Sequence, residues 1–302
     1  MKSAYNSPFK PKSYKDFKPK KIKIYTFNSG FKKKKDDLLI IEFNKIASVF
    51  SVYSKTSTPS APIIWDKKHN KGLCKVLIVN SGNANAFTGQ SGIKAIDKYV
   101  SSAAKFYNCQ KNNILVSSTG VIGEQLDPNK IINKIKLIRQ NNSKSILTAA
   151  KAIMTTDTYP KTAVEKLSHK SHKISIYGIA KGSGMIAPNM GTMLSYIFIE
   201  APLKKSELKL ILTRFLTPTF NSISVDGDTS TSDTLMLFGL NLEDNNIRVS
   251  KELLKKISER VYKIMLNLAK QIVSDGEGIS KLIEVEVNNA ISENQASKVA
   301  FS

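Results

Sequence analysis

The sequence predicts an α/β or α+β layered fold. Short apolar runs of strand length alternate with segments of helical period. Nearly every apolar run empties into a loop of small, polar, Gly-containing residues, the pattern of a protein whose chemistry sits at strand ends. The chain has 302 residues, enough for one large or two moderate domains with a real core. No apolar run reaches the roughly 18 residues that cross a bilayer, and no short-period repeat is visible.

The elements follow in order. Residues 1–23 are polar and Lys-rich, with Pro8, Pro11 and Pro19, and read as a flexible tail. Residues 38–53 read as two short strands around a turn near Asn44. Lys75 to Val79 is a buried strand that runs into Asn80-Ser-Gly-Asn-Ala-Asn-Ala-Phe-Thr-Gly89, and an amphipathic helix spans about Gly92 to Tyr107. Ile114 to Val116 is a strand that opens into Ser117-Ser-Thr-Gly-Val-Ile-Gly123. Asp127-Pro128 caps and opens a helix over 128–140. A small-residue helix covers 144–154, and a strand over 174–179 leads to Lys181. Met193 to Ile199 is a further strand. Helices are expected over 206–216 and 250–274, a strand over 235–240, an alternating strand over 281–287 and a helix from Ser292.

Composition excludes several function classes. Net charge is +22, but only Arg139, Arg214, Arg248 and Arg260 are arginine. Bidentate reading of phosphates and bases favours Arg, so the excess lysine reads as solvated charge rather than a nucleic-acid surface. The start has neither an apolar signal core nor an Arg-rich transit pattern, so a cytoplasmic protein with no membrane partner is expected. Cys74 and Cys109 form no metal or disulfide pattern. His69, His169 and His172 lie in Lys-rich, loop-like stretches with no companions for a metal site. Catalysis by a His-based triad is therefore poorly supplied. The Asp226-Gly-Asp-Thr-Ser-Thr-Ser-Asp233 run lacks the twelfth-position Glu of a calcium loop and reads as a polar turn.

The stretch Lys181-Gly-Ser-Gly-Met-Ile-Ala-Pro-Asn-Met-Gly-Thr192 carries the strongest chemical signal. It places one hydroxyl directly after an unhindered glycine, at the mouth of a strand. Taken alone, a Gly-Thr pair is most often an ordinary strand start. Here the Thr192 hydroxyl can attack the Gly191 carbonyl, convert amide to ester and, after hydrolysis, leave Thr192 as a new N-terminus. An α-amine with a pKa of roughly 7.7–8.0 then serves as base for its own hydroxyl. Thr119 and Gly120 can aim two donors at one oxygen, as an oxyanion hole requires, or can form a plain strand-to-helix turn. Lys181 suits a substrate carboxylate, and Glu277, between Gly276 and Gly278, suits a substrate ammonium; each reads equally as a solvated charge or a loop residue.

Six ordered motifs then resemble one family. They are Asn80-Ser-Gly-Asn-Ala-Asn-Ala, Ser118-Thr-Gly-Val-Ile-Gly123, Ala152-Ile-Met-Thr-Thr-Asp-Thr158, Lys181 to Met190, Val225-Asp-Gly-Asp-Thr-Ser-Thr231 and Asp275-Gly-Glu-Gly278. The chain resembles the ornithine acetyltransferases, also called glutamate N-acetyltransferases, over about residues 24–302. The resemblance implies an αββα-like sandwich, autoprocessed between Gly191 and Thr192 into an α-chain segment (24–191) and a β-chain segment (192–302) that stay together and assemble further. It implies acetyl transfer from N2-acetylornithine to glutamate through an acetyl-Thr192, in arginine biosynthesis. Thr119 and Gly120 would form the oxyanion hole, and Thr155, Lys181, Thr192 and Glu277 would contact substrate. No metal or resident cofactor is implied, although acetyl-CoA is a conceivable co-substrate. The family more often has Ala where Gly191 stands. Its members continue for roughly a hundred residues, a small domain's worth, beyond Ser302, where this chain stops within an expected helix. An aminopeptidase with an N-terminal nucleophile and an inactive shortened homologue are the alternative readings.

Overall fold

The computed structural model describes residues 6–170, 172–187, 193–240 and 247–302. Among the described residues, eight strands form one hydrogen-bonded sheet: β1 (Ile22–Phe27), β2 (Leu38–Tyr53), β3 (Leu73–Asn83), β4 (Ile114–Val121), β5 (Lys161–His169), β6 (His172–Lys181), β7 (Leu194–Ile199) and β8 (Thr234–Gly239). The order is β4-β3-β2-β8-β7-β6-β5, with β1 also on β2. Pairs β3/β4 and β7/β8 are parallel and the rest antiparallel.

The long strand β2 makes this sheet a sandwich. Leu38 to Glu42 pair with β3, while Ser48 to Tyr53 pair with β8. Between them the register against β3 shifts, from Glu42 to Ala47. The turn expected near Asn44 is thus a bulge that bends one continuous strand from one layer into the other. Inward residues of both layers meet in one core: Leu39, Ile41, Phe43, Leu77, Val79 and Leu115 face Tyr177, Ile179, Tyr196, Phe198, Met236 and Phe238. The Phe43 ring lies 4.9 Å from Phe238 and 6.1 Å from Phe198. Helices cover the outer faces. α1 (Ala61–His69), α2 (Gly89–Tyr107) and α3 (Pro128–Ile135) pack on the β1–β4 layer, and α5 (Lys205–Leu216) and α6 (Lys251–Val273) on the β5–β8 layer. α4 (Ile146–Ile153), whose buried residues are Ile146, Ala149, Ala150, Ala152 and Ile153, adds to the inner core instead. The layered αββα-like sandwich expected from sequence is therefore the fold of the chain.

Several local expectations change. Residues 6–21 are tied down rather than free. The Ser7 hydroxyl donates to the Ser274 carbonyl at 2.5 Å, Ile146 N–H to the Phe17 carbonyl at 3.0 Å, and the Phe17 ring sits 4.9 Å from Tyr177. β1, β5 and α1 lay outside the sequence reading. The histidines do not lie in loops: His69 ends α1, stacked 4.0 Å from Trp65, and His169 and His172 pair across the β5–β6 hairpin. Residues 281–287 form no strand. No described strand pairs with them, so their alternating apolar residues Ile283 and Val285 stand in solvent. Ser292 does cap α7 (Glu293–Phe301). Among the described residues, no helix is long and apolar enough to cross a membrane.

One packing device is testable. β4 is an edge strand, and its Val116 N–H is satisfied by Asp66 of α1, at 3.2 Å to Oδ1. Asp66 is fully buried, and burial pushes its carboxyl well above the ordinary range despite the Val116 N–H and the Tyr53 hydroxyl. A group with a raised folded pKa contributes stability that is complete below its unfolded value, about pH 4, and is lost as pH rises toward the folded value. Asp66→Asn keeps the acceptor and removes that loss. Urea unfolding is expected to show the variant gaining on wild type between pH 4.5 and 7.5, by at most about 1.4 kcal/mol per pH unit. An equal difference at both pH values would mean that Asp66 is ionised in the fold.

Candidate active site

Strand alternation brings the expected residues together. Thr119 lies on the same face of β4 as Leu115, and Lys181 on the same face of β6 as Tyr177 and Ile179. Both faces look into the inner core, so the two side chains meet across the sandwich. The Lys181 ammonium donates to Thr119 Oγ1 at 3.2 Å, and both residues are buried. An ammonium has no acceptor, so this contact uses a lone pair of the Thr119 hydroxyl and leaves its proton to be donated elsewhere. Gly120 follows with φ +131°, a value that favours glycine, and a Cβ there would stand 2.3 Å from the Gly82 carbonyl carbon.

The end of β3 and the loop after it support this edge. Asn80 accepts from the Ser118 hydroxyl at 2.6 Å and donates to the Asn83 carbonyl at 2.8 Å. Asn85 N–H donates to Asn83 Oδ1 at 2.8 Å, and the Thr88 hydroxyl to Asn85 Oδ1 at 2.9 Å. The amide-rich motif thus serves as a scaffold for Thr119 and Gly120.

Thr155 reaches the same edge through a carboxylate and Glu277 through its backbone. Asp157 accepts Thr155 N–H at 2.9 Å on one oxygen and Gly182 N–H at 2.7 Å on the other, joining the Thr155 turn to the residue after Lys181. The Glu277 N–H donates to the Ser183 carbonyl at 3.1 Å, and its carboxylate lies over Gly184. Asp226 holds the following backbone through the Met185 and Ile186 N–H groups, and Val225 N–H bonds the Ile186 carbonyl at 2.9 Å. The Asp226 run is therefore a brace. Among the described residues, no cluster of three or more His, Cys, Asp or Glu is placed to hold a metal.

Gly191 and Thr192 lie outside the described residues. Their neighbour Met193 is buried, with its N–H on Asp233 Oδ1 at 2.8 Å and its carbonyl accepting Thr234 N–H at 3.0 Å. One residue later, Leu194 pairs with Lys181 across β6/β7.

The sequence reading missed the charges that balance Lys181. Burial pulls the Lys181 ammonium below its ordinary value, and Asp157 is the largest influence opposing that shift, followed by smaller contributions from Asp233 and Glu277. Burial by itself pushes the Asp157 carboxyl up, but Lys161 and Lys181 outweigh it and hold it below the usual carboxylate range. Lys161 bridges Asp157 and Asp275 at 2.7 and 2.6 Å with no exposure at all. Asp157 belongs to the Ala152–Thr158 motif already singled out, but Lys161 lies beyond its end and Asp275 is 114 residues from Lys161, so spacing gave no sign of the bridge.

A protein-family model described as the ArgJ family matches residues 23–302. The arginine biosynthesis bifunctional protein ArgJ of Agrobacterium fabrum is 41% identical, with 98% of this chain and 74% of that protein covered. Among solved structures, the chain is similar to the bifunctional protein ArgJ of Bacillus halodurans (31% identity, TM-score 0.52, 58% of this chain and 97% of that one). It is also similar to the ornithine acetyltransferase of Mycobacterium tuberculosis complexed with ornithine (25% identity, TM-score 0.50, 58% and 93%).

Two glycines at this edge should respond differently to alanine. In Gly120→Ala the new Cβ meets Gly82 backbone and the φ is strained, so a loss of about 1–3 kcal/mol is expected in urea unfolding. In Gly184→Ala the three atoms nearest the Cβ all belong to the end of the exposed Glu277 side chain, the first 2.7 Å away, which can swing aside. Its stability should stay within about 0.5 kcal/mol of wild type. Equal losses would mean that Glu277 is as fixed as the Gly82 backbone.

Proposed function

The chain belongs to the ArgJ family, and from that premise we propose that it moves acetyl from N2-acetylornithine to glutamate through an ester on Thr192, which it frees by cutting its own chain after Gly191. The observation that carries this reading is the buried Lys181–Thr119 contact, at the edge where β7 begins two residues after Thr192.

In the cleavage, Thr192 Oγ adds to the Gly191 carbonyl carbon, the C–N bond breaks, and the amine keeps the proton that the hydroxyl gives up. Water then splits the ester into a Gly191 carboxylate and a Thr192 with free amine and hydroxyl. The bound ornithine of the M. tuberculosis structure supports an ornithine-shaped donor site. The B. halodurans chain supports cleavage. It is filled by 58% of this chain, whereas the whole of this chain fills only 74% of the A. fabrum protein, so the solved chain is far shorter.

In transfer, Thr192 Oγ attacks the acetyl carbonyl and its proton passes to the α-amine. The Thr119 hydroxyl, with its proton left free by Lys181, donates to the developing oxyanion beside Gly120. Ornithine leaves with a proton on its nitrogen. The glutamate amine then attacks the ester, and the hydroxyl recovers its proton as acetylglutamate departs. Lys181 faces the α-carboxylate that donor and acceptor share. Glu277 is exposed and suits the distal ammonium of the donor, while water screens it from the distal carboxylate of the acceptor. The segments before and after the cut stay together because β7 pairs with β6, β8 pairs with β2, and both segments fill the same cores.

Intact mass of purified protein is expected to show two fragments, one ending at Gly191 and one starting at Thr192, that part only in denaturant. Thr192→Ala should remain one chain. A folded wild-type protein that stays uncut would refute the cleavage. Thr119→Ala should fold, since Ala removes atoms without adding any at this position near the end of β4, and should lower kcat for glutamate-dependent deacetylation of acetylornithine by about 10²–10³. An unchanged rate would remove Thr119 from the site.

A further inference from the structure

Three elements of the site converge on one buried ammonium. Lys161 Nζ donates to Asp157 Oδ1 at 2.7 Å and to Asp275 Oδ2 at 2.6 Å, and it lies 4.8 Å from the Tyr159 ring centroid. The remaining bonds of the two acids hold the working residues. Asp157 fixes the Thr155 and Gly182 N–H groups. Asp275 fixes the Thr158 N–H at 3.0 Å and the Thr158 hydroxyl, and its carbonyl accepts the Ser183 hydroxyl at 2.6 Å. Ser183 in turn holds the Glu277 N–H. The turn of Thr155, the end of β6 that carries Lys181 and the loop of Glu277 therefore share Lys161 as their common partner.

Charge balance gives this hub a consequence beyond packing. Asp157 interacts with two cations, Lys161 and Lys181. Without Lys161, Lys181 would be the main cation left to compensate the buried Asp157, and a buried charge finds a partner or neutralises. Its ammonium would be drawn toward Asp157 and away from Thr119. We propose that Lys161 is a positioning residue of the transferase site: by satisfying Asp157 and Asp275 it leaves the Lys181 ammonium on Thr119 and holds the Glu277 loop in place. This rests on the reading that Lys181 and Thr119 serve acetyl transfer. The groups that bear on Lys181 are Asp157, Lys161, Asp233 and Glu277, with Lys32 contributing from the loop between β1 and β2.

The test uses Lys161→Met, Lys161→Arg and Asp157→Asn in the full chain. Lys181 titration is followed by NMR of side-chain-labelled lysine, assigned through Lys181→Arg, beside KM and kcat for glutamate and urea unfolding. In Lys161→Met a repelling cation is gone, so Lys181 should titrate at higher pH than in wild type. Its KM for glutamate should rise about 10- to 100-fold, in line with the loss seen when a partner that orients a metal ligand is removed. Lys161→Arg retains the charge and should restore both. Asp157→Asn removes the main anion facing Lys181 and should move the titration the other way. A folded Lys161→Met protein with unchanged Lys181 titration and KM would overturn the proposal. If that variant does not fold, Asp157→Asn decides: a downward move supports the shared carboxylate, and no move overturns it. A wild-type protein without glutamate-dependent transfer would refute the proposed function, while the titration would still decide the role of Lys161.

Discussion

Four charged residues share one inner edge of this sandwich: Asp157, Lys161, Lys181 and Asp275, all buried. None could remain charged there alone. Two carboxylates and two ammoniums balance, but the balance is uneven in geometry. Lys161 takes both carboxylates directly, and Lys181 is left to point at a hydroxyl. Breaking such a buried pair typically costs about 3–5 kcal/mol, because the surviving charge stays buried without a partner. That constraint locks the Thr155 turn, the end of β6 and the Glu277 loop to one another. The proposed chemistry depends on this arrangement, since an ammonium that binds a carboxylate must not already have one.

The architecture serves the same end. A single strand, β2, passes through both layers, so the layers cannot drift apart without breaking its pairing with β3 or β8. The aromatic cluster of Phe43, Tyr177, Phe198 and Phe238 fills the space between them. At the edge of that cluster the inward row of β6 changes from apolar to charged, from Tyr177 and Ile179 to Lys181. The inward row of β4 changes likewise, from Leu115 through Ser117 to Thr119. The core ends and the site begins on the same two strands. Lys161 and Asp275 also join residues on either side of the proposed cut, so cleavage would leave the ionic frame whole.

How much was legible in the sequence depended on the range of the interaction. Strands that carry continuous apolar runs, such as β3, β7 and β8, and helices with a clear apolar stripe, such as α2 and α6, declared themselves. β1 is interrupted by Lys23 and flanked by lysines, and β5 carries Lys161, Glu165 and Lys166; only their sheet neighbours make them strands. Asn44 signalled a turn, and the chain used it for a bend. The alternation at 281–287 suggested a strand but found no partner. Thr119, Lys181 and Glu277 could be named because each sits among glycines in a motif. Their meeting could not be derived from spacing, because Thr119 and Lys181 join only when the sandwich closes. Lys161 looked like one lysine among many, and only burial distinguishes it.

The most direct measurement of the central claim is the mass of the protein after incubation with N2-acetylornithine in the absence of glutamate. One added acetyl is expected on the fragment that begins with Thr192, located to that residue by peptide mapping and discharged when glutamate is added. An unmodified fragment that nonetheless supports transfer would contradict it, as would acetyl found on lysine and indifferent to glutamate.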